Sequence, residues 1–487
     1  MDIIQISIIL SFAAAIIVGL FAGKKIHNNI LNFTVAGRSL SGGLIGLALV
    51  AQAIDGNATF GNTQLSYDFG FWAGASLPIG LALSLFILGK FFAAPLNNLK
   101  LVTMADLFEV KYNRLIGFLA SIILLLGFGV LLAGNIAAVG ILIKLFFNIS
   151  YESAVILVSL VVLLYTIRRG IISDIYSDIL QVVLIVAGIF YILVFLFVNH
   201  GFINIFASDL ITSKFSLVQL SSVADGALIN WATILALGFG NLIAIDFGQR
   251  IFAAKSGAEA KKGCYLGGFF TLILGLLFSF IMFYIYQLNI KPSSDIPIII
   301  VLLKQVLPPF IAAFLITGII NAALSTVDGA ILSMGNILTR NLLRVWPEHH
   351  SDDTAEKTTL YFLRISLIPI ACSAMIFAIL LPSPGALLSI AFDIAFAALL
   401  VPFVFAFSKS YANAHAALYA IIVGGVSRII FATLTPTIFG LSNPFYIQNT
   451  FVSPSLDGIG TMLAPLLALV AYIVILNKDK RVIPATQ

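Results

Sequence analysis

Apolar runs about as long as a bilayer is thick recur along this chain, and they leave it few folds. A helix crossing a hydrocarbon core of ~30 Å needs about 20 apolar residues. Thirteen runs are read as spans: about 3–23, 41–65, 70–95, 115–146, 153–167, 176–199, 226–248, 263–288, 308–338, 359–381, 386–408, 413–436 and 458–477. Of the 487 residues, 60% are hydrophobic and only 10% charged, which excludes a soluble globular chain. Helices satisfy every backbone polar group within lipid. The expectation is an all-α polytopic membrane protein whose first partner is the lipid bilayer.

Charge sets the expected orientation. Asp2 precedes the first run, and Lys24 and Lys25 follow it. That order is the reverse of a signal peptide and places the N-terminus outside. Counting spans from there, Lys100, Lys111, Arg114, Arg168, Arg169, Arg250, Lys255, Lys261, Lys262, Arg340, Arg344, Lys357, Lys409, Lys478, Lys480 and Arg481 all fall on the side of Lys24. Lys144, Lys214, Lys291 and Lys304 fall opposite. A bias of that size makes the Lys-rich side cytoplasmic, with the C-terminus there too, in an inner (plasma) membrane. The excess of 26 Lys+Arg over 21 Asp+Glu is then a topology signal and implies no nucleic-acid partner. Cys264 and Cys372 lie too far apart for a metal motif, and no disulfide framework is readable from two cysteines. The histidines occupy loops or span ends.

Ionisable groups inside spans point to function. Asp55, Asp178, Asp246, Asp328, Asp393 and, nearer an end, Asp174 fall within or near spans, against Arg428 as the one deep base. Oxygen ligands in excess of bases suit a cation. Two spans also look broken. "AIDGNATFGN" (53–62) and "ALGFGNLIAIDFG" (236–248) place Gly, Asn and Asp at mid-depth. Irregular backbone survives there only against protein or a wet cavity. Paired interruptions in two halves mark an inverted-repeat transporter. The division read is 1–40 as an extra helix and loop, 41–199 and 226–408 as two inverted five-span units, and 409–487 as two further helices with a short tail. In "NAALSTVDGAILS" (321–333), Ala322, Ser325, Thr326 and Gly329 share one helical face. Two hydroxyls among small residues suit a monovalent cation. The rival reading is close helix packing.

Five segments, in order, resemble blocks of the sodium/solute symporter family, the family of the sodium–glucose and sodium–proline cotransporters. They are "NFTVAGRSL" (32–40), "VTMADLFEVKYNRL" (102–115), "YTIRRGIISDIYSDILQ" (165–181), "GQRIFAAKSGAEAKKG" (248–263) and "LSTVDGAILSMGNILTRNL" (324–342). The resemblance implies a LeuT-type 5+5 inverted-repeat core within about 13 transmembrane helices, often functional as a monomer. It implies sodium as coupling ion, held by Ala53, Gly56, Ala322, Ser325 and Thr326. Tyr165, Thr166, Asp178 and Gln181 match a further block, with Asp178 near the sodium path. Asp55 resembles an acid of the proline-transporting branch. Arg168, Arg169 and Asp174 depart from the pattern. Asp328 and Gly329 stand where some members place hydroxyls for a second sodium, so one sodium per cycle is expected.

The expected function is sodium-coupled import of a small organic solute by alternating access. The solute is expected against Asp55, Asn57, Thr59 and Asn62, with Asn135, Trp231, Asn241 and Asp246. Asp393 is a weaker candidate, and an i,i+4 pair with Arg250 is the rival reading for Asp246. An acid-rich, base-poor centre favours a solute with an amine, such as an amino acid. Proton coupling on the same fold, or a transporter-like sensor acting through a partner, are the alternatives. An intramembrane aspartyl protease is set aside: Tyr67–Asp68 and Gly238-Phe239-Gly240 lie several spans apart, and Asn241 stands where the second acid is needed. Whether residues 295–306 form an external helix is left open.

Overall fold

The computed structural model describes residues 1–22, 30–167, 170–203, 209–288, 290, 296–346, 353–437 and 446–482. Lys24, Lys25, Arg168, Arg169, Lys291 and the side chain of Tyr165 lie outside the described residues. The principal helices are α1 (Ile3–Ala22), α2 (Gly42–Ala53), α3 (Gly56–Asp68), α4 (Phe71–Asn98), α5 (Met104–Lys111) and α6 (Arg114–Phe147). They continue with α7 (Tyr151–Thr166), α8 (Ile171–His200), α9 (Ala227–Ile243), α10 (Ile245–Ala253) and α11 (Gly257–Gln287). The last are α12 (Pro309–Leu342), α13 (Asp353–Leu380), α14 (Pro384–Phe405), α15 (Ala414–Leu434) and α16 (Ile459–Val482).

Polar residues between the apolar runs decide where helices begin. Asn113, Ser150, Ser256 and Asn413 each accept the N–H three residues on, at the starts of α6, α7, α11 and α15. Pro309 and Pro384 stand in the first turns of α12 and α14, where a missing N–H costs nothing. Among the described residues, nine helices are long and apolar enough to cross a membrane. Two bent pairs, α2 with α3 at 53° and α9 with α10 at 45°, raise this to eleven. Two shorter apolar helices, Ile3–Ala14 and Tyr151–Leu164, match the remaining runs.

Both interruptions are real, and each lies within the run that the sequence marked. Ile54 and Asp55 leave helical geometry between α2 and α3. In the second pair, Gly238 and Gly240 stay helical within a wide turn over 236–240, followed by a tighter turn over 241–243. The chain breaks at Ala244 (φ −56°, ψ 126°). Glycine permits a break; here packing spares the glycines and bends the chain after them.

The packing has the symmetry of an inverted repeat. α2 lies against α11 and α4 against α9; α6 lies against α14 and α12 against α8. Exchanging the first five core spans for the second turns each contact into its counterpart. Small residues permit these approaches: a Cβ on Gly46 of α2 would stand 2.9 Å from the Leu266 Cβ of α11.

At the end of the bundle carrying most basic residues, the segments flanking the two broken helices are tied by backbone. The Leu40 N–H donates to the Ala253 carbonyl at 3.1 Å, and the Lys255 N–H to the Leu40 carbonyl at 2.9 Å. Arg38, in left-handed geometry at φ 56°, reaches the carbonyls of Phe252 (3.2 Å), Lys100 (2.7 Å) and Leu101 (3.1 Å). Nearby, Arg340 and Asn341 of α12 each meet the Asp106 carboxylate of α5 at 2.8 Å. At the opposite end, α3 meets α14 backbone to backbone: a Cβ on Gly61 would stand 2.6 Å from the Gly385 Cα. Tyr67 stacks on Tyr286 with centroids 4.6 Å apart, and residues 298–306 are helical, the Ile298 N–H donating to Gln64 at 3.0 Å.

Candidate ion and solute site at the helix breaks

The first break is built from Asp55 outward. Its carboxylate accepts the Ala58 N–H at 2.7 Å and so caps α3 at its positive N-terminal end. Asn135 of α6 donates to the other carboxylate oxygen at 2.6 Å and accepts the Asn57 N–H at 3.3 Å. That N–H is the one an unbroken helix would aim at the Ala53 carbonyl. Diverting it leaves the Ala53 oxygen available to another ligand. Gln181 of α8 supports the same turn, its amide meeting the Ala51 carbonyl at 3.1 Å. Asn57 is held by the Leu131 carbonyl at 2.9 Å, and the Thr59 hydroxyl bonds back to the Asp55 carbonyl at 2.8 Å.

α12 brings its hydroxyl face to this break. A Cβ on Gly56 would stand 2.7 Å from the Ala323 Cβ. Ala53 and Ala322–Thr326, 269 positions apart in the chain at their nearest named members, are thereby close in space and all buried. The Ser325 hydroxyl donates to Asp178, which also accepts the Gln52 amide at 3.2 Å. The Thr326 hydroxyl is fully buried and makes no hydrogen bond to the described protein atoms. An orphaned hydroxyl in such a place needs a ligand or water. Gly56 itself opens α3 and does not lie in the unwound link.

The second break carries Asp246, whose carboxylate accepts the Phe247 N–H at 2.7 Å at the start of α10. Asp246 lies within electrostatic reach of Asp55. Both breaks carry the same tripeptide: Ala53-Ile54-Asp55 and Ala244-Ile245-Asp246. Each sets an acid at the positive start of the half-helix that follows. This repetition was legible in the sequence and was missed there. Asn241 is buried and donates to the Leu237 carbonyl at 2.9 Å. Asn62 lies further along α3, tied to the Gly275 carbonyl at 2.8 Å and to Ser279 of α11. Trp231 stands apart: it is 45% exposed near the start of α9, its ring N–H on the Leu220 carbonyl at 2.9 Å.

The reading of the acids as nearly unmatched by bases needs correction. Arg250, counted among loop residues from the sequence, is 0% exposed inside α10. One of its nitrogens meets Asp174 at 2.7 Å and Asp178 at 2.8 Å. Toward Asp246 it offers only a bond to the backbone carbonyl, at 3.3 Å, so the side-chain pair weighed as the rival reading of Asp246 does not form. Asp393 of α14 is held by Arg428 of α15 (2.5 Å) and Thr461 of α16 (3.2 Å), which ties it to the peripheral helices. Asp328 accepts the Thr166 hydroxyl.

The model of the sodium:solute symporter family matches residues 33–424. The chain is 25% identical over 446 residues to the high-affinity choline transporter 1 of Drosophila melanogaster, covering 87% of this chain and 70% of that one. It is 25% identical over 432 residues to the sodium/pantothenate symporter of Escherichia coli (strain K12), covering 84% and 86%. A solved Na+-coupled sialic acid symporter, in a substrate-bound outward-open state, matches with a TM-score of 0.75 over 97% of this chain and 98% of that one, at 18% identity. That likeness is one of fold, the LeuT type.

Proposed function

This chain belongs to the sodium:solute symporter family, whose members named above are transporters and not enzymes, and from that premise we propose that it imports a positively charged small solute with sodium. The observation that carries the reading is the meeting of the broken turn at Ala53–Gly56 with Ala322–Thr326. An ion there has the diverted Ala53 carbonyl, the orphaned Thr326 hydroxyl and Ser325 within one neighbourhood. Sodium, held by Ala53, Gly56, Ala322, Ser325 and Thr326, joins the broken helix to α12. It acts by its differential affinity for two states of the bundle. One sodium crossing about 100 mV down a tenfold gradient yields roughly 2.3 plus 1.4 kcal/mol, enough for accumulation on the order of several hundredfold.

The solute site lies beside the ion, against Asp55, Asn57, Asn135, Asn241 and Asp246. Two buried carboxylates at the facing breaks favour a solute with a charged nitrogen. The sequence alone pointed to an amino acid; of the relatives named above one carries choline and one pantothenate, and the two buried acids favour the former, so the reading retained is a solute with a positively charged nitrogen. The bias of basic residues supports an external N-terminus and a cytoplasmic C-terminus in the plasma membrane. The working unit proposed is a monomer.

The test is thermal unfolding of purified protein with choline, amino acids, pantothenate and sugars, each in sodium and in potassium. The expected result is stabilisation by an ammonium-bearing solute in sodium only. Ser325→Ala with Thr326→Ala abolishes the sodium effect and leaves the protein inserted. Uptake that follows a pH gradient and ignores sodium would overturn the ion assignment.

A further inference from the structure

The ion position proposed above has a neighbour that the transport cycle has not used: the guanidinium of Arg250. It is the largest of the fully buried side chains, and it rides on α10, the nine-residue half-helix after the second break. Its Nη2 spans two carboxylates of α8, Asp174 and Asp178. Those acids are one helical turn apart, so a single guanidinium nitrogen reaches both.

Asp178 links this cation to the ion position. One of its oxygens faces Arg250, and the other accepts the Ser325 hydroxyl and the Gln52 amide. A single carboxylate therefore stands between the guanidinium and a proposed sodium ligand. One turn further along α12, toward its basic end, is Gly329. A Cβ there would lie 3.0 Å and 3.1 Å from the two terminal nitrogens of Arg250, and 2.9 Å from the Gln52 Oε1. The guanidinium fills the space that a side chain at 329 would take, below Ser325 and on the same helical face.

We propose that Arg250 is a positioning residue that stoppers the ion's route on the basic, cytoplasmic side. The proposal rests on the sodium reading above. A sodium ion leaving Ser325 and Thr326 toward that side meets the guanidinium where it fills the space beside Gly329, so the obstacle is the volume of the side chain and not its charge. The charge is offset by Asp174 and Asp178, which pin the stopper in place without an ion. It is carried by α10, one of the elements whose basic-side end is tied to the Leu40 segment. Tilting of α10 on inward opening carries the guanidinium aside, so the ion is released only when the helix that closes the pathway has moved. Coupling follows: sodium does not cross without the conformational change that also moves the solute.

The rival reading is that Arg250 only glues α8, α10 and α12 together. Radioactive sodium flux into proteoliposomes without solute separates the two. Wild type is expected to leak slowly. Arg250→Ala empties that space and is expected to raise solute-free sodium flux by about tenfold or more. Arg250→Gln, which keeps part of the volume and a donor toward the acids, is expected to fall between. If Arg250→Ala folds, binds sodium by thermal shift and leaks no faster than wild type, the stopper is overturned and the ion site stands. Should Arg250→Ala not fold, Arg250→Gln decides in its place. If wild type is not stabilised by sodium over potassium, the ion site itself fails, and this proposal fails with it.

Discussion

The hydrogen bond from Asn135 to Asp55 is the sharpest place to test how the first break is held. Asn135→Leu keeps approximate size and removes both amide contacts, the 2.6 Å bond to the carboxylate and the 3.3 Å acceptance of the Asn57 N–H. Bonds to charged groups contribute roughly 1.5–3 kcal/mol in soluble proteins. Polar contacts between membrane helices average only ≈ 0.6 kcal/mol, with a maximum near 1.7. The short, charge-assisted bond and its complete burial place this one at the upper end of the membrane range. A coupling of about 1.5 kcal/mol is expected between Asn135→Leu and Asp55→Ala, close to tenfold in an unfolding equilibrium. The lost cap of α3 is common to both Asp55→Ala legs and cancels in the cycle. The assay is reversible unfolding in mixed micelles titrated with dodecyl sulfate, on wild type, both single variants and the double. A coupling within about 0.3 kcal/mol of zero, less than the usual scatter of additive sites, would refute the view that Asn135 secures the break through Asp55.

Two further outcomes are expected. Asp393→Ala leaves the Arg428 guanidinium without its carboxylate in a mostly buried position, which is expected to cost about 2–3 kcal/mol in thermal unfolding; Asp393→Leu with Arg428→Met should recover most of it. Gly61→Leu puts a side chain where α3 and α14 touch by backbone, so uptake should fall by about tenfold or more while sodium still stabilises the protein; wild-type uptake would show that this contact is not part of closure.

Much of the site was legible before the fold was known, because bilayer depth makes polar residues conspicuous. Asp55, Gly56 and Asn57 in an apolar run announce a broken helix, and the hydroxyls of Ser325 and Thr326 stand out for the same reason. Arg250 was not legible as a buried group. It follows the last apolar run of its half-helix and precedes Lys255, so local sequence reads as a loop; its partners lie 76 and 72 positions earlier. A signal existed in Asp174 and Asp178, two acids one turn apart on one helix, which demand a cation. The second break at Ala244 falls inside the run 236–248 and repeats the Ala-Ile-Asp of the first; the glycines just before it drew the eye away from that repeat. Trp231 illustrates the opposite error: an aromatic near a span looks like a ligand contact, and tertiary position puts it at the rim.

The tie between Leu40 and Lys255 is written in main chain alone. Its strength does not depend on which side chains sit at positions 40, 253 and 255, so drift at those sites leaves the two segments as firmly joined as before. Only a residue that lacks an amide hydrogen, or a change in the length of either segment, can loosen it. A junction of this kind lets the surrounding surface change freely while the spacing of the two broken helices stays the same.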